Sequence, residues 1–446
     1  MMKKNLNRRS FVKKSVAGGL SVGVIGQVAG FNILSQYPVK DVHKVAVMGV
    51  NSRGTAHVTA FSNLERSVIT HICDVDSRAI DKSMEIVKKS GQKGKPKGIT
   101  DIREALDSKE VDIVSIAAPD HWHAPASILA MKAGKHVYVE KPGSHNPREG
   151  EMVTEASKKY NKVVQMGNQR RSLPFVRQAI KVLHEGAIGR VYFAKTWYGS
   201  SRPTIGYGKV IPVPEWLDWE LWQGPAPRKE LKDNVVHYDW HWRWHWGTGE
   251  LLNNGTHFID LARWGLQVDF PIKAYSGGGR YHFKDDWETP DTQLATFDFA
   301  DGKSLSWEGR SCVRNSINGM GSGVIFHGEK GTMELSDTVY KIFDVKGALV
   351  EEKSTDTEVT VSLQGAGFDY DRHHFDNFMD SIEGKGTPNS VYSDCYKSVM
   401  LCHLGNISYR TGRSLQCDPS NGHIKNDSEA MKLWSREYDK NWEPSV

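Results

Sequence analysis

A glycine turn near residue 50 carries the first chemical signal. Residues 43–50, His-Lys-Val-Ala-Val-Met-Gly-Val, form a short β-branched run that ends in glycine. Asn51-Ser52-Arg53-Gly54 then leads into a helical pattern over 55–63. Strand, glycine turn and helix in that order offer free N–H groups and the positive end of a helix dipole to a diphosphate. Gly49 permits the tight turn, and Gly54 lets the helix sit close to the strand. The middle glycine of the G-x-G-x-x-G pattern is replaced by Asn51, whose side chain then lies near the phosphates. Gly49, Asn51, Ser52, Arg53 and Gly54 are therefore the candidate phosphate-binding residues. A second apolar run, 67–73, ends at Asp74, 25 residues after Gly49. A carboxylate there accepts hydrogen bonds from ribose hydroxyls and repels a 2′-phosphate. The expected cofactor is NAD rather than NADP, although Arg78 nearby weakens the preference.

A second signal is aromatic. Eight of the 14 tryptophans fall between Trp216 and Trp264, densest in Tyr238-Asp239-Trp240-His241-Trp242-Arg243-Trp244-His245-Trp246. Alternation at period two predicts an extended segment with one aromatic and one polar face. His241, Arg243 and His245 would share the polar face. Flat indoles beside charged donors suit a sugar, so Trp240, His241, Arg243 and Trp244 are candidate substrate contacts; a tryptophan-rich core strand is the structural alternative. His237, His241 and His245 are also four apart, but the alternation argues against a helix. No cysteine or clear carboxylate completes a ligand set, so no metal site is read.

These residues need elements to hold them. After the runs at 43–50 and 67–73, a third strand, 112–117, runs into Pro119-Asp120-His121-Trp122-His123 and a helix over 124–133. The strand 135–139 then reaches Glu140-Lys141-Pro142. Strands alternating with helices predict a parallel, doubly wound sheet. From 270 to 350, strand-like runs alternate with Gly/Asp turns, as in an antiparallel sheet. From 371 to 411 the pattern is helical again, with Phe375, Phe378 and Met379 on one face. The organisation expected is an α/β chain: a leader over 1–36, a Rossmann domain over 42–165, an α+β substrate domain over 166–370, and helices with a tail over 371–446.

The chain has 446 residues, enough for two or three cores, with 39% apolar and 25% charged residues spread along it. Its net charge of +5 comes from the N-terminus. Residues 1–30 hold Lys3, Lys4, Arg8, Arg9, Lys13 and Lys14 and no acid, so no basic face for nucleic acid is implied. Asn7-Arg8-Arg9-Ser10-Phe11-Val12-Lys13-Lys14, followed by a weakly apolar, glycine-rich run, resembles a twin-arginine export signal, which predicts a periplasmic enzyme exported folded. No clear cleavage site precedes Tyr37, and an uncleaved leader would act as a membrane anchor. No later stretch is apolar for long enough to span a bilayer. The five cysteines fit no metal knuckle and read as small buried hydrophobes; an exported enzyme could also pair two of them.

Four ordered motifs resemble the glucose–fructose oxidoreductase / inositol dehydrogenase / MocA family: the run Ala130 to Pro142 ending in Glu140-Lys141-Pro142; Pro119 with His123; Gly167-Asn168-Gln169-Arg170-Arg171; and Gly249-Glu250-Leu251-Leu252-Asn253-Asn254-Gly255-Thr256-His257. The resemblance spans roughly 43–415. It implies a Rossmann domain followed by a large, open, mostly antiparallel sheet whose face covers the nicotinamide, and a homo-oligomer through that sheet is expected. It places Pro119, Asp120, His123, Glu140, Lys141 and Gln169 beside the cofactor and Arg171 and His257 beside the substrate. Lys141 would polarise or deprotonate the reacting hydroxyl, and His257 would act as acid/base. Where the family usually has Asp, four residues before that His, this chain has Asn253. An amide orients a partner but carries no proton, and Glu250 is a possible substitute.

The activity expected is oxidation of a sugar or glycoside hydroxyl by a tightly held NAD. No free NAD pool is expected outside the cytoplasm. A second substrate or acceptor must then reoxidise the cofactor, or the oxidation must be transient. In the second case oxidation acidifies a neighbouring C–H, the aglycone is eliminated and the cofactor is restored, making the protein an NAD-dependent glycosidase or lyase. A sugar-binding protein without turnover is the third reading.

Overall fold

The computed structural model describes residues 42–355 and 368–446. The leader read over 1–36, with its paired arginines, lies outside the described residues, as does the segment 356–367.

The first domain runs β1 (His43–Met48), α1 (Arg53–Asn63), β2 (Ser67–Cys73), α2 (Ser77–Ser90), β3 (Lys97–Ile99), α3 (Arg103–Leu106), β4 (Ile113–Ile116), α4 (Asp120–Lys132), β5 (His136–Val139), α5 (Pro147–Lys159) and β6 (Val164–Met166). Its six strands are all parallel, in the order β3-β2-β1-β4-β5-β6. A parallel sheet covered on both faces needs continuous apolar strands. β1, β4 and β5 satisfy this with Val45, Val47, Ile113, Val114, Val137 and Val139, all fully buried. The order reverses between β1 and β4, which opens a crevice at their carboxyl ends, where Gly49 and Pro119 sit. Two boundaries differ from expectation. The edge strand β3 has only three residues and no hydrophobic alternation, so no period marks it. Helix α4 begins at Asp120 rather than 124, because Pro119 at the N-cap starts it.

The second domain contains α6 (Pro174–His184), β7 (Val191–Gly199), α7 (Trp219–Gln223), α8 (Thr256–Leu266), β8 (Lys273–Gly279), β9 (Thr292–Asp298), β10 (Ser304–Arg310), β11 (Ser322–Gly328), β12 (Gly331–Leu335), β13 (Val339–Asp344) and β14 (Leu349–Ser354), then α9 (Phe368–Ile382), α10 (Tyr392–Thr411) and β15 (Leu415–Gln416). Among the described residues its sheet has nine strands, antiparallel except for β7 beside β10. β9 and β10 alternate buried and more exposed residues, so one face is core and the other is open. Helix α8 covers the buried face with Phe258, Ile259 and Leu261, against Trp307 and Phe326. The C-terminal helices divide between the two domains. Phe375, Phe378, Met379 and Ile382 of α9 join Val45, Val47, Phe61 and Tyr138 in the core beneath the parallel sheet. Each buried phenylalanine there contributes roughly 1.5–3 kcal/mol. Strand β15, which follows α10, adds the last strand to the nine-stranded sheet.

Candidate active site

The turn after β1 is shaped for a phosphate group. Gly49 has φ 79°, and a Cβ on it would stand 2.5 Å from the Ala118 amide nitrogen. A Cβ on Gly54 would fall onto the Gly49 carbonyl, so α1 sits against the strand as only glycine allows. Asn51 has no positive φ, so the position of the missing middle glycine needs no left-handed residue. Ser52, the N-cap of α1, makes no side-chain cap, so its hydroxyl does not occupy the start of the helix, where the Thr55 amide turns back to the Ser52 carbonyl (3.0 Å). At the end of β2, Asp74 is 8% exposed and accepts the amides of Val50 (2.6 Å) and Asp76 (2.9 Å). Burial pushes its carboxyl above the usual range despite those two bonds. Arg78 is held by Asp76 at 2.7 Å and stacked on Trp216, so it is not poised to bind a 2′-phosphate.

This cradle opens into a cavity of about 480 Å³ that runs from Asp74 and Gly49 to Lys141 and His257. At its far end Lys141 leaves β5 and projects to a turn of π-helix, Leu251–Gly255, just before α8. Its Nζ donates to the Asn253 carbonyl (2.6 Å) and to Asn253 Oδ1 (2.9 Å). Burial lowers the lysine pKa, opposed by the charges of Glu140, Asp120 and Glu250. A neutral amine has two N–H groups, and Asn253 offers an acceptor for each. The lone pair is left for a substrate hydroxyl. His257 stands one turn on, in the cavity wall; burial, with Arg170 and Lys141, drives its pKa well below the usual histidine range, so it is a neutral acceptor. His257 Nδ1 is buried with no hydrogen-bond partner among the described residues, as a group awaiting a bound molecule would be. Asp120 also lines the cavity; burial pushes it up to about 6, and it accepts the Thr248 hydroxyl at 2.6 Å.

Other expected site residues border the cavity with their polar atoms already engaged. Arg53 donates to Glu140 (2.8 Å) and to both oxygens of Asp371 (2.8 and 2.6 Å) rather than standing ready for a phosphate. Glu140 also accepts from His57 and Gln169, each at 3.0 Å. Burial alone would raise its pKa, but Arg53 and His57 hold it well below the carboxylate range. His123 donates from Nε2 to the Ala118 carbonyl (2.7 Å) and accepts the Gly143 amide (3.3 Å); burial takes its pKa down to about 4. It fastens the Pro119 loop to the Lys141 loop. Glu250 does not replace the relay carboxylate: Arg202 (2.6 Å) and Asn254 occupy it.

Three substrate expectations fail. Arg171 is turned away from the cavity into Asp260 and Asp394, at 2.7 Å each, and its neighbour Arg170 lines the cavity instead. The Arg170–Arg171 pair lies on a 3-10 turn that sends the two side chains to opposite sides. The tryptophan run is not extended either. Asp239–Trp242 is a 3-10 turn, and Trp219, Trp222, Trp240 and Trp246 pack into a small separate core. Trp240 and His241 remain at the cavity, stacked at 3.6 Å, but Arg243 is tied to Asn234 (2.7 Å) and Trp244 lies under Arg410. Local aromatic packing overrides the alternation. Two further cavity residues, His237 and Tyr238, stand in the same run. The tyrosine hydroxyl accepts from Arg202 at 2.8 Å. An unbroken string of polar and aromatic residues was their signal; only its phase was misleading.

A doubly wound fold whose glycine turn shares a cavity with a lysine at the end of β5 defines a dinucleotide-binding class of protein. Residues 43–168 match the model of the GFO_IDH_MocA oxidoreductase family with its NAD-binding Rossmann fold, and residues 176–334 match the GFO/IDH/MocA C-terminal domain. The chain belongs to this family, and its first domain is the family's NAD-binding Rossmann fold. A "Glycosyl hydrolase family 109 protein" of Saccharopolyspora erythraea is 26% identical over 227 residues, 47% of this chain and 49% of the relative. An "Alpha-N-acetylgalactosaminidase" of Shewanella oneidensis is 34% identical over 142 residues, 31% of this chain and 28% of the relative. The chain thus spans half or less of the length of these curated relatives. A levoglucosan dehydrogenase in complex with NADH superposes with a TM-score of 0.64 at 19% identity, over 84% of this chain and 98% of that one. A WlbA dehydrogenase of Chromobacterium violaceum, bound to NADH and UDP-GlcNAcA, gives 0.63 at 19%, over 86% and 99%.

Proposed function

We propose that the protein oxidises a hydroxyl of a sugar or glycoside with an NAD held in the cavity. The observation that carries this is Lys141: a half-buried amine whose N–H groups meet Asn253 at 2.6 and 2.9 Å, in the same cavity as the dinucleotide cradle. Gly49, Ser52 and Gly54 would receive the diphosphate and Asp74 the adenosine ribose. NAD bound there supplies a hydride acceptor. The chain supplies the rest: neutral Lys141 takes the hydroxyl proton as its C–H hydride leaves, His257 accepts a hydrogen bond from the substrate, and Trp240 with His241 gives the sugar ring a flat wall.

A second reading is transient oxidation followed by elimination of an aglycone. It is favoured by relatives bearing the name glycosyl hydrolase family 109 and by the several proton-handling groups in one cavity, Lys141, His257 and Asp120. The experiment is to denature the purified protein, identify the released dinucleotide, and incubate fresh enzyme with sugars and aryl glycosides, following nicotinamide absorbance and aglycone together. Lasting reduction without aglycone supports the dehydrogenase. Aglycone without lasting reduction supports the glycosidase. Retained sugar binding with neither signal leaves a binding protein and sinks both. The twin-arginine pattern supports export of the folded, cofactor-loaded enzyme to the periplasm. The open sheet face, where Leu294 and Tyr275 are 56% and 49% exposed, is the surface we assign to self-association.

A further inference from the structure

The segment between β7 and α8 makes contacts that sugar recognition does not use. It is fastened to the Rossmann domain at the start of α2. The Ser77 amide donates to the Trp216 carbonyl (3.0 Å), and the Asp218 amide donates to the Val75 carbonyl (2.9 Å). The Arg78 guanidinium lies 3.4 Å from the Trp216 ring centroid and is paired with Asp76, whose carboxylate also stands 2.9 Å from His237 Nε2. A second attachment lies at the start of α4. Trp122 Nε1 (3.1 Å) and His121 Nε2 (2.9 Å) both donate to the Trp222 carbonyl, and a Cβ on Gly224 would fall into the Trp122 ring. The segment has a core of its own, with Trp219 and Trp222 stacked at 4.7 Å above Leu217, Leu231 and Val235. Between the attachments it borders the cofactor groove. Trp222, His237 and Tyr238 line the same cavity as Gly49, Asp74 and Lys141, and His237 and Tyr238 share a further cavity of about 360 Å³ with Asn51 and Ser52.

We propose that residues 216–241 form a strap closed over the dinucleotide, with Arg78–Trp216 and Asp76–His237 as its clasp, so that NAD leaves only when the strap opens. The strap borders the adenosine half of the nucleotide: it lies beside Asp74, which would receive the adenosine ribose, and beside Asn51 and Ser52, where the diphosphate would sit. The cofactor is then a resident group, reduced and reoxidised without leaving. This rests on the NAD site and not on which sugar is turned over.

The test follows exchange of bound NAD for labelled NAD in the full-length holoenzyme, in parallel with hydrogen exchange at the Ser77 and Asp218 amides. Wild type should exchange NAD slowly with both amides protected. Trp216→Ala and Arg78→Ala should each speed NAD exchange roughly 3- to 30-fold, the worth of one partly desolvated cation–π contact, and release both amides in the same order. The Arg78 side chain is 56% exposed, so its removal tests the clasp even where Trp216→Ala does not fold. Wild-type NAD that exchanges within seconds, or exchange rates unchanged in the variants, overturns the strap and leaves the NAD site standing. A protein that binds no NAD overturns the site itself.

Discussion

At the scale of single residues, the pairing of Lys141 with Asn253 sets how readily the base we propose loses its proton. An amide accepts from the lysine without adding a charge, whereas a carboxylate at the same 2.9 Å would favour the ammonium. Catalysis needs the neutral amine, so kcat/KM should rise with pH through the lysine pKa. Asn253→Asp should move that rising limb to higher pH by roughly 1–3 units. A pH profile identical to wild type would show that Lys141 is not the base. Lys141→Ala should abolish turnover while the denatured protein still releases NAD; cofactor loss would make the lysine structural. The places of Gly49, Gly54 and Asp74 at the turn after β1 and the end of β2 were legible because that strand–turn–helix pattern constrains backbone and charge at fixed spacing. Lys141 and His257 were legible only through a family likeness. Arg171 was not, because which of two adjacent arginines faces a cavity depends on the local turn and on Asp260 and Asp394, far away in the chain.

At the scale of elements, the contact of α1 with β1 is the tightest constraint in the nucleotide domain. A methyl on Gly54 has no room against the Gly49 carbonyl, so Gly54→Ala must push the helix off the strand. A loss of about 1–3 kcal/mol is expected, with weakened NAD binding. Thermal melts with and without NAD would check it against Gly386→Ala, where an added methyl meets nothing and the change should stay within about 0.5 kcal/mol. Equal melting temperatures for the two variants would refute the packing argument. The strands of the parallel sheet were readable because burial on both faces leaves unbroken apolar runs. The tryptophan segment was misread as a strand. Its period of two is real, but the indoles pack among themselves and no neighbouring strand pairs with them.

At the scale of the whole molecule, Arg53 and Asp371 join positions 318 residues apart. The pair ties the diphosphate turn to α9, the helix that completes the core beneath the parallel sheet. Asp371→Ala would leave Arg53 with Glu140 alone. A loss of about 2–3 kcal/mol is expected, below the value for a fully buried pair because the Arg53 side chain keeps 25% exposure. Chemical denaturation would measure it, and a change under about 0.5 kcal/mol would show the pair to be dispensable. The division into a parallel and an antiparallel sheet was legible, since each class writes a different period. The return of α9 to the first domain was not, because an amphipathic helix does not say which sheet it will cover.

That return fixes an order of events during synthesis. Phe61 and Tyr138 lie under Phe375 and cannot be covered until α9 has left the ribosome. The nucleotide-binding domain, although first in the chain, is therefore among the last parts to mature. Ribosome-bound chains stalled before residue 368 should fail to retain NAD, while the finished chain captures it.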